Sequence, residues 1–271
     1  MRVIVTGASG FLGKAVLKKL LSEKFECIGV SRGRYDGLIQ VPDYVNSPEG
    51  DVLIHLAEIN DRMLVNKSSN NYEYEASRVL NALINKGYSK IIYSSSAIVY
   101  GDNSFLPRKE TDPVIAMDTY TRIKLKNEYS ILSKAGLVLR FSNVYGPSMS
   151  PNNVLSSILR QLTSGELIRL NNLNSIRDFI WVEDAANAIL NLIEPPIQGL
   201  FNIGSGVGTS ISEIVQTILK ASGQSHRKIV SETINPKESC IVLDISKILN
   251  QTEWSPSLSI SQGLNRLINI N

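Results

Sequence analysis

The chain reads as an α/β protein: a doubly wound parallel sheet that carries a smaller C-terminal lobe. Three observations predict this. A short apolar run, Val3 to Val5, passes through a glycine-rich turn into Lys14–Leu21, which has helical periodicity. Further runs of strand length, Asp51–Ala57 and Lys90–Ser96, alternate with helical stretches, the pattern of a parallel sheet covered by helices. After Pro147 the alternation becomes less regular. That change places the sheet mainly in residues 1–147 and a substrate-binding lobe mainly in residues 148–271, with some later segments returning to the first core.

At 271 residues the chain is long enough to bury a large core. With 43% hydrophobic and 20% charged residues it has the composition of an ordinary globular enzyme. A net charge of +3, with no basic run interleaved with aromatics, argues against nucleic acid as a partner. No apolar stretch approaches the roughly 18 residues of a membrane span. Cys27 and Cys240 lack metal-ligand spacing, no metal site is expected, and a free pair suits a reducing compartment. A strand opening at residue 2 leaves no room for a leader, so a cytoplasmic location is expected.

The first strand, Gly7-x-x-Gly10-x-x-Gly13 and the helix behind it form an anion site in the manner of a Rossmann βαβ unit. Free N–H groups and the positive end of the helix dipole face one point, and glycine lets a diphosphate approach the backbone. The spacing differs from the usual G-x-G-x-x-G. Phe25–Val30 is the second strand, and the residue after it meets the adenosine ribose in such a unit. An acidic residue there would select NAD(H). The chain offers Ser31, Arg32 and then Arg34, which favours NADP(H) through neutralisation of a 2′-phosphate. If these arginines are only solvated loop charges, NAD(H) is the alternative.

Gly37–Val41 is a third strand, and the short distance to Asp51 leaves its crossover helix reduced or missing. His55 lies inside an apolar strand, where a lone histidine is a packing residue. Tyr72–Lys86 is helical, with Ala76, Val79, Leu80 and Leu83 on one face, and Gly87 stops it. Lys90–Ser96 ends in three serines at the carboxyl end of a strand, where doubly wound sheets bind ligands. Asp118 caps the next helix, which carries Tyr120 and Lys124 one turn apart. An ammonium beside a phenol favours the phenolate, which suits an acid–base tyrosine. Leu137–Pro147 reads as one more strand and a turn. Helices are expected near Val154–Thr163, Glu183–Ile193, Thr209–Ser222, Asp244–Leu249 and Ile260–Leu267, with short strands near Ile168–Leu170 and Leu200–Ile203.

Together these segments resemble the extended short-chain dehydrogenase/reductase family, the NAD-dependent epimerase/dehydratases that modify nucleotide sugars. The matching pieces are Thr6-Gly7-Ala8-Ser9-Gly10-Phe11-Leu12-Gly13, His55-Leu56-Ala57 and Ser94-Ser95-Ser96-Ala97-Ile98-Val99-Tyr100-Gly101. They continue with Tyr120-x-x-x-Lys124, Arg140-Phe141-Ser142-Asn143-Val144-Tyr145-Gly146-Pro147 and Arg177-Asp178-Phe179-Ile180-Trp181-Val182-Glu183-Asp184. Phe201-Asn202-Ile203-Gly204 and Trp254-Ser255-Pro256 close the set, in the family's order and across nearly the whole chain.

The resemblance implies roles. Tyr120 would be the general acid/base, Lys124 would bind the nicotinamide ribose, and Ser96 would polarise the same C–O bond as Tyr120. The cofactor would lie on Gly7, Gly10, Phe11, Leu12, Gly13, Ser31, Arg32, Leu56 and Ala57, with Tyr120 and Lys124. Asn143 would stand near the substrate phosphates and Arg177 would pair with the diphosphate; a salt bridge to Asp178 or Glu183 is the alternative for Arg177. The implied activity is an NAD(P)-dependent oxidoreductase acting on a nucleotide sugar, foremost a 4-keto-6-deoxy sugar nucleotide reductase. A nucleotide-sugar 4-epimerase with tightly bound NAD is second, and a non-catalytic dinucleotide sensor third. The helices carrying Tyr72–Lys86 and Asp118–Lys134 form the dimer bundle in many members, so a homodimer is implied. Three departures stand out. Glu58 replaces a small residue after Leu56-Ala57, Lys237 is only a loose match to a second phosphate arginine, and the chain is shorter than most nucleotide-sugar epimerases.

Overall fold

The computed structural model describes residues 1–68 and 70–270. The elements run β1 (Arg2–Thr6), α1 (Phe11–Ser22), β2 (Glu26–Ser31), β3 (Ile39–Gln40), β4 (Val52–His55), α2 (Arg62–Lys67) and α3 (Asn70–Ile84). Next come β5 (Lys90–Ser96), α4 (Thr119–Leu132), β6 (Leu137–Phe141), β7 (Asn143–Tyr145), α5 (Val154–Gln161), β8 (Leu167–Leu170), β9 (Ile176–Trp181) and α6 (Val182–Asn191). The chain finishes with β10 (Gly199–Ile203), β11 (Gly208–Ser210), α7 (Ile211–Ala221), β12 (Lys228–Ser231), β13 (Cys240–Ile241), α8 (Ser246–Gln251) and α9 (Ile260–Ile270).

The main sheet has the order β10-β6-β5-β4-β1-β2-β3, and its neighbours pair in parallel. The chain builds outward from β1 to β3, then returns and builds the other way from β4. The direction therefore reverses between β1 and β4, the place where such sheets bind ligands. Alternation along the strands feeds two cores, because successive side chains of a strand face opposite ways. Val3, Val5, Ile54 and Ile92 pack on one face with residues of α1 and α6, while Ile4, Leu53, Ile91 and Tyr93 pack on the other with residues of α3 and α4.

The second lobe has its own core, in which Tyr145, Phe179 and Trp181 meet apolar residues of α5, α7 and α9. β9 links the two cores: Phe179 and Trp181 enter the lobe, and Ile180 between them enters the main core. β10, from late in the chain, forms one edge of the main sheet, and Trp254 packs in the main core.

The sheet, the reduced crossover and the Asp118 cap match the sequence reading. A 3₁₀ turn at Tyr44–Asn46 replaces the missing crossover helix. Asp118 Oδ1 accepts from the Thr121 N–H, and Thr121 Oγ1 accepts from the Asp118 N–H, which closes a capping box. The third strand is shorter than expected, keeping only Ile39–Gln40 at the sheet edge. The Leu137–Pro147 stretch holds two strands rather than one. The Ser142 N–H donates to the Ile203 carbonyl, and from Asn143 onward the chain pairs with β9 in a separate sheet. The expected helix from Thr209 begins two residues later, because Ser210 caps it while Gly208–Ser210 pairs with β9. Helix α2 and strands β9, β11, β12 and β13 had no counterpart in the sequence reading. Among the described residues no helix is long and apolar enough to cross a membrane.

Candidate active site

The glycine turn is fixed by contacts that leave no room for a side chain. Gly7 has φ +73°, and a Cβ there would stand 2.7 Å from the Leu56 carbonyl oxygen. A Cβ on Gly13 would stand 2.1 Å from the Gly7 carbonyl oxygen, so α1 can approach β1 only with glycine in that place. Gly10 begins α1 without a side-chain cap. The first N–H groups of a helix lack intrahelical partners, so this terminus keeps its donors and positive dipole end for an anion.

These groups open into a cleft of about 560 Å³ at the carboxyl ends of the strands. Gly7, Gly10, Phe11, Leu12 and Gly13 line it from one side, and Leu56, Ser96, Tyr120, Lys124 and Asn143 join them. Residues from five separate segments thus converge as the sequence reading expected, with Asn60, Asn153 and Phe179 added to the wall. Two further cavities each share two or more lining residues with it. One, about 350 Å³, contains Arg32 and Ala57 and shares His55 and Glu58 with the cleft. The other, about 510 Å³, contains Arg177 and shares Asn143, Asn153, Val154 and Phe179. The three form one groove with the Ser96–Tyr120–Lys124 set in its middle section. A larger cavity of about 1170 Å³ lies at the opposite end of the sheet, near Met1 and Trp254, and holds none of the expected site residues.

Strand alternation aims the serines. Ser95 is buried and donates to Glu128, while Ser94 and Ser96 on either side are partly open. Ser96 Oγ accepts only a long bond, 3.4 Å, from the Ile98 N–H. Tyr120 is 6% exposed, and among the described residues its hydroxyl has no hydrogen-bond partner. Both hydroxyls are therefore available to a bound oxygen.

Lys124 is engaged otherwise. Its Nζ donates to Glu58 Oε2 and to the Ser94 carbonyl, each at 2.8 Å, and lies 5.7 Å from the centre of the Tyr120 ring. Glu58 Oε2 also accepts from the Tyr93 hydroxyl and Oε1 from Asn127 Nδ2. Burial pushes the Glu58 carboxyl up, but Lys124 and the other donors outweigh it and hold the group below its ordinary range. Burial likewise opposes the charge on Lys124, and Glu58 overcomes it, so the lysine is raised. His55 is a buried packing residue as expected, with Nδ1 2.8 Å from Thr6 Oγ1. Burial pushes it down to about 4.

The outer positions are mixed. Arg32 lies with its guanidinium 5.6 Å from the centre of the Tyr44 ring in the 350 Å³ cavity, which Arg34 does not line. Ser31 is buried and spends its hydroxyl on Ser9 Oγ and the Gly33 N–H. Asn143 Nδ2 donates to the Asp178 carbonyl. The Arg177 guanidinium lines the 510 Å³ cavity and is also tied into the fold. It donates to the Ile176 and Ser239 carbonyls and to Ser239 Oγ, and it stands 3.7 Å from Asp102. Asp102, not Asp178 or Glu183, is thus its ionic partner. Asp178 instead accepts from Ser205, Gly206 and Leu243. Arg160 and Arg169 line the Arg177 cavity and were not singled out in the sequence, since neither falls in a motif.

A search of known proteins matches this chain, over residues 3–204, to the model of the NAD dependent epimerase/dehydratase family. A putative UDP-glucose 4-epimerase of Methanocaldococcus jannaschii is 27% identical, covering 98% of this chain and 97% of its own. The dTDP-4-dehydro-6-deoxyglucose reductase of Escherichia coli is 23% identical over 98% of this chain and 96% of its own. The structure of the Thermotoga maritima UDP-glucose 4-epimerase with UDP-glucose superposes with a TM-score of 0.86, at 23% identity, over 99% of this chain and 98% of that one. Among other solved structures with this fold, some hold NAD and another holds NADPH. The chain belongs to the NAD dependent epimerase/dehydratase family and is an enzyme of the extended short-chain dehydrogenase/reductase type.

Proposed function

We propose that this enzyme is an NADP(H)-dependent reductase of a 4-keto-6-deoxy sugar nucleotide and that it works as a homodimer. The observation that carries the reading is the groove itself, with a cation at the ribose end and two free hydroxyls at its centre. The uncapped α1 terminus and the glycine contacts fit a dinucleotide diphosphate, which would lie on Gly7, Gly10, Phe11, Leu12 and Gly13. When bound, the nicotinamide supplies the hydride.

The chain's own residues handle the oxygen of the substrate. Ser96 Oγ donates a hydrogen bond to the ketone and polarises it. Tyr120 gives its phenolic proton to the same oxygen as negative charge develops there. Lys124 borders the ribose position. Asn143 and the arginine-lined outer cavity receive the nucleotide part, where Arg160 and Arg169 add charge beside that of Arg177. Arg32 meets a 2′-phosphate.

The second reading is a 4-epimerase that holds NAD and returns hydride to the opposite face of the same carbon. It is favoured by the likeness to a putative UDP-glucose 4-epimerase along nearly the full length of both chains. Fluorescence titration of the purified protein with NADPH and NADH, followed by an assay of NADPH consumption with 4-keto sugar nucleotides, separates them. An empty site as isolated, preference for NADPH and stoichiometric consumption are expected. NAD that survives gel filtration, with no gain for the phosphorylated form, overturns the reductase in favour of the epimerase.

A further inference from the structure

After Leu56-Ala57 the chain carries a carboxylate, and the fold meets it with three donors. Glu58 accepts from Lys124 and Tyr93, each at 2.8 Å, and from Asn127 at 2.7 Å. The side chains of the ion pair are 8% and 6% exposed for Glu58 and Lys124. Tyr93 comes from β5, Lys124 and Asn127 from one face of α4, and Glu58 from the loop after β4. Glu58 also lines both the central cleft and the Arg32 cavity, so it stands where the two meet. A buried carboxylate with no partner would be strongly disfavoured, so a donor set this complete gives the group a fixed place.

We propose that Glu58 is a positioning residue for the reaction: it anchors the Lys124 ammonium and cancels the charge that Lys124 would otherwise present to Tyr120. The inference rests on the reading of Tyr120 as the acid/base group. A lone ammonium beside a phenol acts as a monopole. A lysine–glutamate pair at 2.8 Å acts as a dipole, whose field falls faster with distance. The other groups around Tyr120 do not replace that charge. Tyr72 from α3 and Tyr93 from β5 are neutral phenols that burial pushes up. His55 from β4 is held neutral by burial, and Asp118 at the start of α4 is paired with Arg62. Glu58 therefore decides how much of the Lys124 charge reaches the reacting oxygen.

The test is the pH dependence of kcat for the wild-type enzyme, Glu58→Gln and Glu58→Asp, with NADPH and a 4-keto sugar nucleotide both saturating. The Glu58→Gln transition is expected about one pH unit below that of the wild type, because Lys124 is then uncompensated, and Glu58→Asp is expected to restore most of the shift. A folded, active Glu58→Gln enzyme whose transition is unmoved overturns the proposal, even if its KM rises. If that variant is inactive or does not fold, or no sugar nucleotide turns over and the reductase reading itself fails, NMR of the wild-type protein decides. The Lys124 ammonium signal, assigned by its loss in Lys124→Arg, is then expected to stay protonated above the ordinary lysine range. The Glu58 carboxyl carbon is expected to stay ionised below the ordinary carboxylate range. Either group titrating at its ordinary value overturns the proposal.

Discussion

Helix α4 anchors two buried ion pairs one turn apart, and only one of them borders the cleft. Lys124 pairs with Glu58 beside Tyr120, whereas Glu128 pairs with Arg140 of β6 deeper in the sheet. Both pairs are almost wholly buried. Glu128 receives both Nε and Nη2 of Arg140, at 2.6 to 3.2 Å, and also the hydroxyl of Ser95. The guanidinium lies 4.6 Å from the centre of the Tyr100 ring. Arginine has a rigid fork, stacks on aromatic faces and does not lose its proton, which fits it to hold a sheet to a helix. Lysine presents a compact ammonium on a flexible stem, with three donors that can be redirected. Burial and pairing are shared; the choice of base and the neighbouring cavity separate a structural pair from one that serves a site.

The comparison predicts, first, that the cleft can lose its chemistry without losing the fold. Tyr120→Phe removes a hydroxyl with no protein partner among the described residues. A loss of roughly 10²- to 10⁴-fold in kcat is expected, with the melting temperature nearly unchanged. A large fall in melting temperature would mean that the hydroxyl has a structural role after all.

The two pairs should differ more subtly. Arg140→Met and Lys124→Met each leave a buried carboxylate unpaired, and each is expected to cost about 3–5 kcal/mol in urea unfolding. Only Lys124→Met should also weaken cofactor binding in a fluorescence titration. Equal loss of cofactor affinity in Arg140→Met would break the division between the pairs.

His55 gives a third solution to burial, since it stands beside a charged pair and is kept neutral. Burial pushes it from 6.5 down to about 4, with Glu58 opposing and Lys124 assisting. The folded value lies below the unfolded one, so between these pH values the unfolded chain binds the proton that the folded chain refuses. Stability is therefore present above about pH 6.5 and falls as the pH drops toward 4. By linkage the loss approaches about 3 kcal/mol. Urea unfolding at pH 7 and pH 4.5 should show a smaller loss for His55→Asn than for the wild type; equal losses would mean that His55 is already protonated in the fold.

Much of this was legible in the sequence, for identifiable reasons. β1, the glycine turn and α1 follow from continuous apolar character, tight-turn glycines and a helical period, each a local signal. Tyr120 and Lys124 share a helix face by spacing alone, and Asp118 announces the start of that helix. The lobe was harder to read. β9 faces two cores, so its residues Phe179, Ile180 and Trp181 are apolar without alternation, and β11 and β13 are three and two residues long. The break at Ser142 is set by a long-range bond to Ile203, with no glycine or proline to mark it. The partners of Glu58 were hidden by distance: Lys124 and Asn127 lie 66 and 69 residues away. A faint trace existed, since an acid in a buried segment requires a cation, and Lys124 was the cation already assigned to that cleft. The fold contacts of Arg177 were hidden in the same way, since its motif carries no information about Ser239 and Asp102.

The smallest effect concerns the arginines and sharpens the same contrast between committed and open charge. Arg140 and Arg177 have their guanidinium groups tied to the fold. Arg32 stands over the Tyr44 ring, both lining the same cavity, and Asp43 within that cavity is already paired with Arg78. Its charge is thus free for a ligand phosphate. Arg32→Ala should leave the fold and the NADH affinity unchanged and weaken NADPH binding by about 1.5–3 kcal/mol, the range of a hydrogen bond to a charged group, or roughly 10- to 150-fold in Kd. Parallel titrations with the two cofactors give this ratio directly. If the two affinities fall together, Arg32 meets a part that both cofactors share, such as the adenine ring, and the 2′-phosphate loses its reader. If NADPH alone weakens, the one open arginine of the three is the one that reads the cofactor.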